Sequence, residues 1–205
     1  MASRIEEFDE KILSCAKKEF LEKGYTEASI RAIAQNAGVS TSTIYTRYSD
    51  KEGLFRFLVE PAANGLKDLL RKYLSEFCAL TGHEQSEKVS EYSDRGFECM
   101  IIYIYEHFSE FKLLITGAPG NFYQDFLESL VALDTDCTKR FLMGIESKAL
   151  LEGRITDDFL HIVSSAFYSG IFEVVIHDMP IEEAKNYINE LRVFYGNGWK
   201  EYYQR

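Results

Sequence analysis

Apolar residues recur along this chain at intervals of three and four, and almost nowhere in strict alternation. That spacing lines one face of a helix. Ile5, Phe8, Ile12, Leu13, Ala16 and Phe20 form the first such stripe, and Gly24 predicts where it ends. Residues 29–37 fit a second helix stopped by Gly38, and residues 41–48 a third with Ser40 at its N-cap. Ser49 and Glu52 have the spacing of a capping box, opening a longer helix through Leu54, Leu58, Leu66, Leu70 and Phe77. Pro61 is expected to bend that helix in its third turn.

Polar residues over 81–90 read as a loop, after which helical spacing resumes over 92–108 and again over 109–115. The Gly117-Ala118-Pro119-Gly120 run is the clearest break in the chain. One long helix is predicted over 122–151, ending at Gly153. Another, capped by Thr156, carries Phe159, Val163, Phe167, Ile171 and Val174. Beyond Pro180 a last helix covers 181–195, with Gly196 and Gly198 breaking its end. With no Asn-Gly hairpin and no period-two stretch, the expected class is all-α. About nine helices are expected, as a three-helix head (1–52) continuous with a larger helical body (53–205).

The formal net charge of −10 argues against a surface that neutralises phosphates, until its distribution is considered. Residues 1–56 carry nine basic and nine acidic side chains, so the whole deficit lies in the body. No acid occurs between Glu27 and Asp50. A face turned toward DNA requires that local absence. The hydrophobic share of 46% fits a folded soluble chain, and an aromatic share of 14% needs a large core, an interface or a pocket.

Cys15, Cys78, Cys99 and Cys137 are widely spaced and form no metal-binding pattern, so buried reduced thiols are expected rather than a disulfide frame or a zinc site. No metal and no cofactor is expected. The N-terminus has no apolar signal core and no apolar run approaches the ~20 residues that span a bilayer, which predicts a cytoplasmic protein without a membrane partner.

The chemistry concentrates in residues 29–51. A small Ala34 at mid-helix lets a second helix cross closely, and Gly38 suits a sharp turn. Val39 and Ile44 are expected to bury against Ile30 and Ile33. The outer face of the third helix is left with Thr41, Ser42, Thr43, Tyr45, Thr46 and Arg47. Small hydroxyls, a phenol and a guanidinium can enter a major groove, bond phosphates and touch base edges. Ala-x-x-x-Gly alone also fits an ordinary helical hairpin. The apolar spacing, the acid-free window and Tyr45-x-x-Tyr48-Ser49-Asp50-Lys51-Glu52 favour a DNA-binding helix-turn-helix.

On these residues the first quarter of the chain resembles the TetR family of bacterial one-component regulators. The match runs through Ala16, Phe20 to Gly24-Tyr25, Ser29-Ile30-Arg31-Ala32-Ile33-Ala34, Ala37-Gly38-Val39-Ser40, Thr43-Ile44-Tyr45, Tyr48 and Lys51-Glu52-Gly53-Leu54. The resemblance implies that Ser29 and Arg31 touch phosphates or nearby bases, and that Thr41, Ser42, Thr43, Tyr45 and Thr46 form the reading surface. Tyr48 and Lys51 would clamp the DNA backbone. Two departures stand out. Ala28 replaces a frequent hydroxyl cap, a role that Ser29 can take. Arg47 replaces a commoner Tyr or His, and is free to reach DNA or to pair with Asp50.

For the body, the resemblance implies a small-molecule inducer and a homodimer acting as a repressor on a two-fold symmetric DNA site. Aromatic crowding suggests an apolar pocket among Phe97, Ile101, Ile104, Tyr105, Phe126 and Phe167, although core packing explains each residue singly. Val163, Ile171, Val174, Ile188, Leu191 and Tyr195 mark apolar stripes on the last two helices, suited to a four-helix dimer interface. A second arrangement keeps the DNA-binding head and uses the body to dock a protein partner. No nucleophile elbow, phosphate loop or carboxylate pair points to an enzyme.

Overall fold

In the computed structural model, which describes residues 2–204 and the side chains of residues 9–202, ten helices and no strand are present among the described residues. They are α1 (Ala2–Glu27), α2 (Ile30–Ala37), α3 (Thr41–Tyr48), α4 (Lys51–Cys78) and α5 (Gly82–Glu106), then α6 (Phe108–Gly117), α7 (Phe122–Gly144), α8 (Lys148–Leu151), α9 (Asp157–Ile176) and α10 (Ile181–Gln204). The fold class is the expected one. The side chains of Ile5 and Phe8 in the first stripe lie outside the described residues.

The chain forms two compact units, Met1–Asn64 with His107–Tyr123, and Gly65–Glu106 with Gln124–Arg205. The first holds α1 to α3, the opening of α4, and α6. Ile12, Ala16, Phe20, Ile33, Ala34, Ile44, Leu54 and Phe55 are buried in it. Phe20 and Tyr25 both meet the Phe55 ring edge-on, with centroids 5.3 and 5.4 Å away. Such pairs add to the burial of the rings themselves. Lys17 of α1 pairs with Glu110 of α6. α1 breaks its helical geometry at Gly24, where the apolar stripe ends.

The second unit departs more from expectation. Residues 82–90 are helical rather than a loop. Thr81 Oγ1 accepts from the Glu84 N–H, and the Glu84 carboxylate accepts from the Thr81 N–H at 2.9 Å. This is a capping box, and it starts α5 where polarity alone suggested none. The predicted helix over 122–151 is two helices. Glu146 adopts φ 52° while Ser147 N–H bonds back to the Leu142 carbonyl, closing α7 with a left-handed residue that is not glycine. α10 continues through Gly196 and Gly198, because Trp199 and Tyr202 pack on the Phe159 ring and on the cluster of Phe77, Phe141 and Leu160. Tertiary packing overrides the low helix propensity of glycine there. α4 is continuous through Pro61.

Contrary to the sequence expectation, α9 is long and apolar enough to cross a bilayer by length and composition. Core helices share that composition. Leu160, Ser164, Tyr168, Ile171, Phe172, Val174 and Val175 of α9 are buried in the fold. The reduced-thiol expectation also fails for one pair. Cys78 and Cys137 are disulfide-bonded, with Cα atoms 6.4 Å apart, whereas Cys15 and Cys99 are free.

Candidate nucleic-acid interface

The turn between α2 and α3 is closed by its own backbone. Gly38 N–H donates to the Gln35 carbonyl and Val39 N–H to the Ala34 carbonyl, with Gly38 at φ 71°. A side chain at that φ would be strained, so glycine permits the stop. Ser29 caps α2, its Oγ accepting from Ala32 N–H at 3.4 Å, which fills the role that Ala28 cannot. Ser40 caps α3, accepting from Thr43 N–H at 3.1 Å. Each cap satisfies an N–H that the helix itself leaves unpaired.

The next cap falls one residue later than the spacing predicts. Ser49 ends α3 at φ 68°, and Asp50 Oδ1 accepts from Gly53 N–H at 2.7 Å to open α4. Glu52 is directed instead to Arg56, 2.9 Å away. A Cβ at Gly53 would lie 1.9 Å from the Tyr48 carbonyl oxygen, so α3 and α4 meet as closely as backbone allows. The turn between them is thereby fixed.

This scaffold buries Ile30, Ile33, Ala34 and Ile44 and leaves Val39 half-buried. Ser29, Arg31, Thr41, Ser42, Thr46 and Arg47 are exposed, Thr43 is half-buried, and Tyr45 is 49% exposed despite its aromatic ring. Thr46 Oγ1 donates back to the Ser42 carbonyl at 2.8 Å, and Thr43 Oγ1 lies 2.9 Å from Ser40 Oγ. These bonds hold the small side chains against the helix and leave Tyr45 as its most prominent projection.

Two acids of α1 enter the region, and sequence reasoning did not find them. Asp9 pairs with Arg47 and accepts from the Tyr48 hydroxyl at 3.2 Å. Arg47 therefore pairs with Asp9, not with Asp50. Tyr48 is only 6% exposed, and its phenol is pushed up to about 12 by burial first and the Asp9 carboxylate second. It stays a neutral donor at ordinary pH. Glu19 accepts from the Ser29 N–H at 3.1 Å, placing a carboxylate at the start of α2, where the helix dipole favours it. Lys51 Nζ donates to the Thr26 carbonyl at 2.9 Å and lies 4.9 Å from the Tyr25 ring centroid. Its ammonium is thus positioned, not loose.

In the second unit, Ile101, Ile104 and Phe126 are buried, Phe97 meets Phe167 edge-on at 5.2 Å, and the Tyr105 hydroxyl donates to the Met179 carbonyl at 2.6 Å. Two clefts of this unit are lined by other residues. One, of about 480 Å³, lies among Phe159, Val163, Phe194, Tyr195, Trp199 and Tyr202; the other adjoins Cys78. Of the residues expected at a dimer interface, Ile171, Val174 and Ile188 are buried within the chain itself and present nothing to a partner. Val163, Leu191 and Tyr195 are half-buried, while Ile162 and Phe194 are 64% and 76% exposed. Periodicity finds apolar faces but not which neighbour covers them.

A polar cluster also went unnoticed in sequence. Asp134 of α7 accepts from Ser164 Oγ of α9 at 2.7 Å and from the Tyr168 hydroxyl. Burial raises the Asp134 carboxyl above its ordinary value, against the opposing pull of these two donors. Glu98 and Glu106 are exposed, His161 faces Glu128, and His177 faces Glu173 at 3.1 Å. No group of three or more potential metal ligands gathers among the described residues.

Residues 12–58 match the family model described as bacterial regulatory proteins, tetR family. Solved structures of similar fold include a TetR-like transcriptional regulator from Rhodococcus sp. RHA1, with 18% identity and a TM-score of 0.60 over 92% of this chain and 96% of that one. The TetR family regulator PfmR from Thermus thermophilus has 20% identity and a TM-score of 0.59 over 88% and 96%. The fatty acid degradation regulator FadR from Bacillus halodurans has 15% and 0.51 over 89% and 96%. No curated protein sequence matches the chain. The segment that holds the helix-turn-helix is thus a TetR-family DNA-binding domain, and the chain as a whole has the fold of the TetR-family transcriptional regulators.

Proposed function

We propose that this DNA-binding regulator is a repressor that binds a two-fold symmetric site as a homodimer and is released by a small apolar or aromatic molecule. The observation that carries the DNA-binding part is the outer face of α3. It presents Thr41, Ser42, Thr46 and the half-exposed Tyr45 from a helix capped at its start and locked to α4 at its end. Hydroxyls and a phenol suit phosphate oxygens, base edges and thymine methyls. Arg31 supplies charge from α2 and Lys51 from the first turn of α4, where a helix start favours an anion. Ser29 serves chiefly as the cap of α2, Thr43 is bonded to the Ser40 hydroxyl, and Arg47 and Tyr48 are tied to Asp9 of α1.

One eight-residue reading helix contacts only a few base pairs, so a second copy supplies the missing specificity. Exposed Ile162 on α9 and Phe194 on α10 give that copy an apolar surface to cover. Release would follow from ligand uptake in the body among the six aromatic and aliphatic positions named above. α4 contributes residues to both compact units and would carry the response.

Selection of bound DNA from a random pool tests this directly, followed by a screen of apolar and aromatic compounds for release. A palindromic consensus with half-sites about one turn apart supports the dimer. Failure to enrich any sequence contradicts the DNA-reading role. Compounds that bind the protein without altering its DNA affinity contradict ligand control.

A further inference from the structure

We propose that Cys78 and Cys137 form a reversible oxidation site, closed by a peroxide-class oxidant and opened by a dithiol, whose state sets DNA affinity. The inference rests on the DNA-binding reading above. A protein working on DNA shares a compartment in which thiols are held reduced, and disulfides there are transient and redox-sensing rather than structural. The pair nevertheless meets the geometric requirement. Its Cα atoms are 6.4 Å apart across 59 positions of sequence, within the span a disulfide bridges without backbone movement.

The two sulfurs have unlike surroundings. Cys137 is 3% exposed, packed with Phe77, Phe141, Leu142 and Leu160. Cys78 is half-buried at the last position of α4 and lines a cleft of about 240 Å³ with Arg71, Leu74, Ser75, Leu133, Asp136 and Arg140. A small oxidant can enter there. Arg71 pairs with Asp68 and Arg140 with Asp136 at 2.6 Å, so the rim carries both signs of charge. The thiolate is the reacting form of a cysteine, and the cleft brings the oxidant to Cys78 rather than to the buried Cys137. The other two cysteines are not joined to this pair. Both are free, and Cys99 Sγ accepts from the Tyr73 hydroxyl at 2.9 Å.

The chemistry then balances. The Cys78 thiolate attacks one oxygen of hydrogen peroxide, the O–O bond breaks, and the departing hydroxide is protonated to water, leaving a sulfenic acid on Cys78. The Cys137 sulfur attacks the Cys78 sulfur, the S–S bond forms, and the sulfenic oxygen leaves as a second water. Two thiols lose two electrons and two protons while peroxide becomes two waters. A dithiol reverses the reaction by exchange. Mechanically, the bond ties the end of α4 to mid-α7, and α4 begins at Lys51 beside the reading helix. Fixing one end of that helix restricts its movement in response to the body.

The test treats the full chain with hydrogen peroxide or with dithiothreitol. It reads crosslinked peptides by mass spectrometry and affinity for DNA enriched by the reduced protein. The expected result is a single link between residues 78 and 137, reversed by dithiothreitol, with DNA affinity differing about fivefold or more between the two states. Cys78→Ser and Cys137→Ser, prepared separately so that either can stand in if the other misfolds, abolish the difference, whereas Cys99→Ser keeps it. No 78–137 link under peroxide overturns the proposal. So does a link that leaves DNA affinity unchanged, with the DNA-binding reading intact. Binding to no DNA in either state overturns both.

Discussion

The helix-turn-helix segment and the second compact unit use polar side chains differently. From Ser29 to Gly53 the helix caps act over three positions each, with Ser29, Ser40 and Asp50 capping the helix that follows. Arg47, Tyr48 and Lys51 reach back to Asp9 and Thr26 of α1. In the second unit, polar and sulfur groups join distant positions, as Asp134 does with Ser164 and Tyr168, and Cys78 with Cys137. Local caps fix the angle of a small surface without filling it, which leaves Thr41, Ser42 and Tyr45 available. Long-range ties hold helices together and use their polar atoms in doing so.

The largest expected effect lies in the second unit. Reducing the Cys78–Cys137 bond releases a loop of 59 positions and lowers stability by about 2–4 kcal/mol, read by urea denaturation with and without dithiothreitol. An unchanged midpoint would contradict a tie that constrains the chain. Next is Gly53→Ala, which forces a Cβ toward the Tyr48 carbonyl and costs about 1–3 kcal/mol, with DNA binding weakened as α3 shifts. Wild-type stability and binding in that variant would show that the α3–α4 turn is not fixed as described.

A smaller effect separates buried from exposed polarity by pH. The raised Asp134 carboxyl favours the protonated form in the folded state. Its stabilisation is complete below the ordinary carboxylate value of about 3.9, and is lost as pH rises through the raised folded value. Asp134→Asn cannot ionise, so wild type should lose more stability than this variant as pH rises above about 4. Parallel pH profiles would contradict it. The smallest change in stability belongs to the Arg47–Asp9 pair, which is partly open to solvent. Asp9→Asn should shift stability by no more than about 1 kcal/mol. It should also raise DNA affinity and steepen the salt dependence by about one phosphate contact, because it frees Arg47. Lower DNA affinity would mean that Asp9 is needed chiefly to position α3.

What was legible in sequence was what short-range chemistry decides. Gly38, Ser40 and Thr156 announce their turns because a left-handed residue or a side-chain cap acts within a few positions. Asp50 was missed for Ser49 because both residues cap well and only the turn geometry chooses between them. The end of α7 was illegible because Glu146 takes the left-handed position usually marked by glycine. α10 was cut short because the rings that sustain it, Trp199 and Tyr202, find their partners far away in sequence. The interface shows the same division. Helix α3 and its exposed hydroxyls follow from spacing alone. Asp9 lies 38 positions from Arg47, so a window free of acids in sequence acquires one in space.

The central claim is that the outer face of α3 reads DNA, and Tyr45 is its most prominent group. The most direct measurement is the affinity of wild type, Tyr45→Ala and Lys51→Ala for the enriched DNA across a salt series. Tyr45→Ala is expected to lose about 1–3 kcal/mol and to relax sequence preference, whereas Lys51→Ala weakens all sequences alike and lowers the salt slope by about one. Wild-type affinity, preference and salt dependence in both variants would contradict the assignment of α3 as the reading helix.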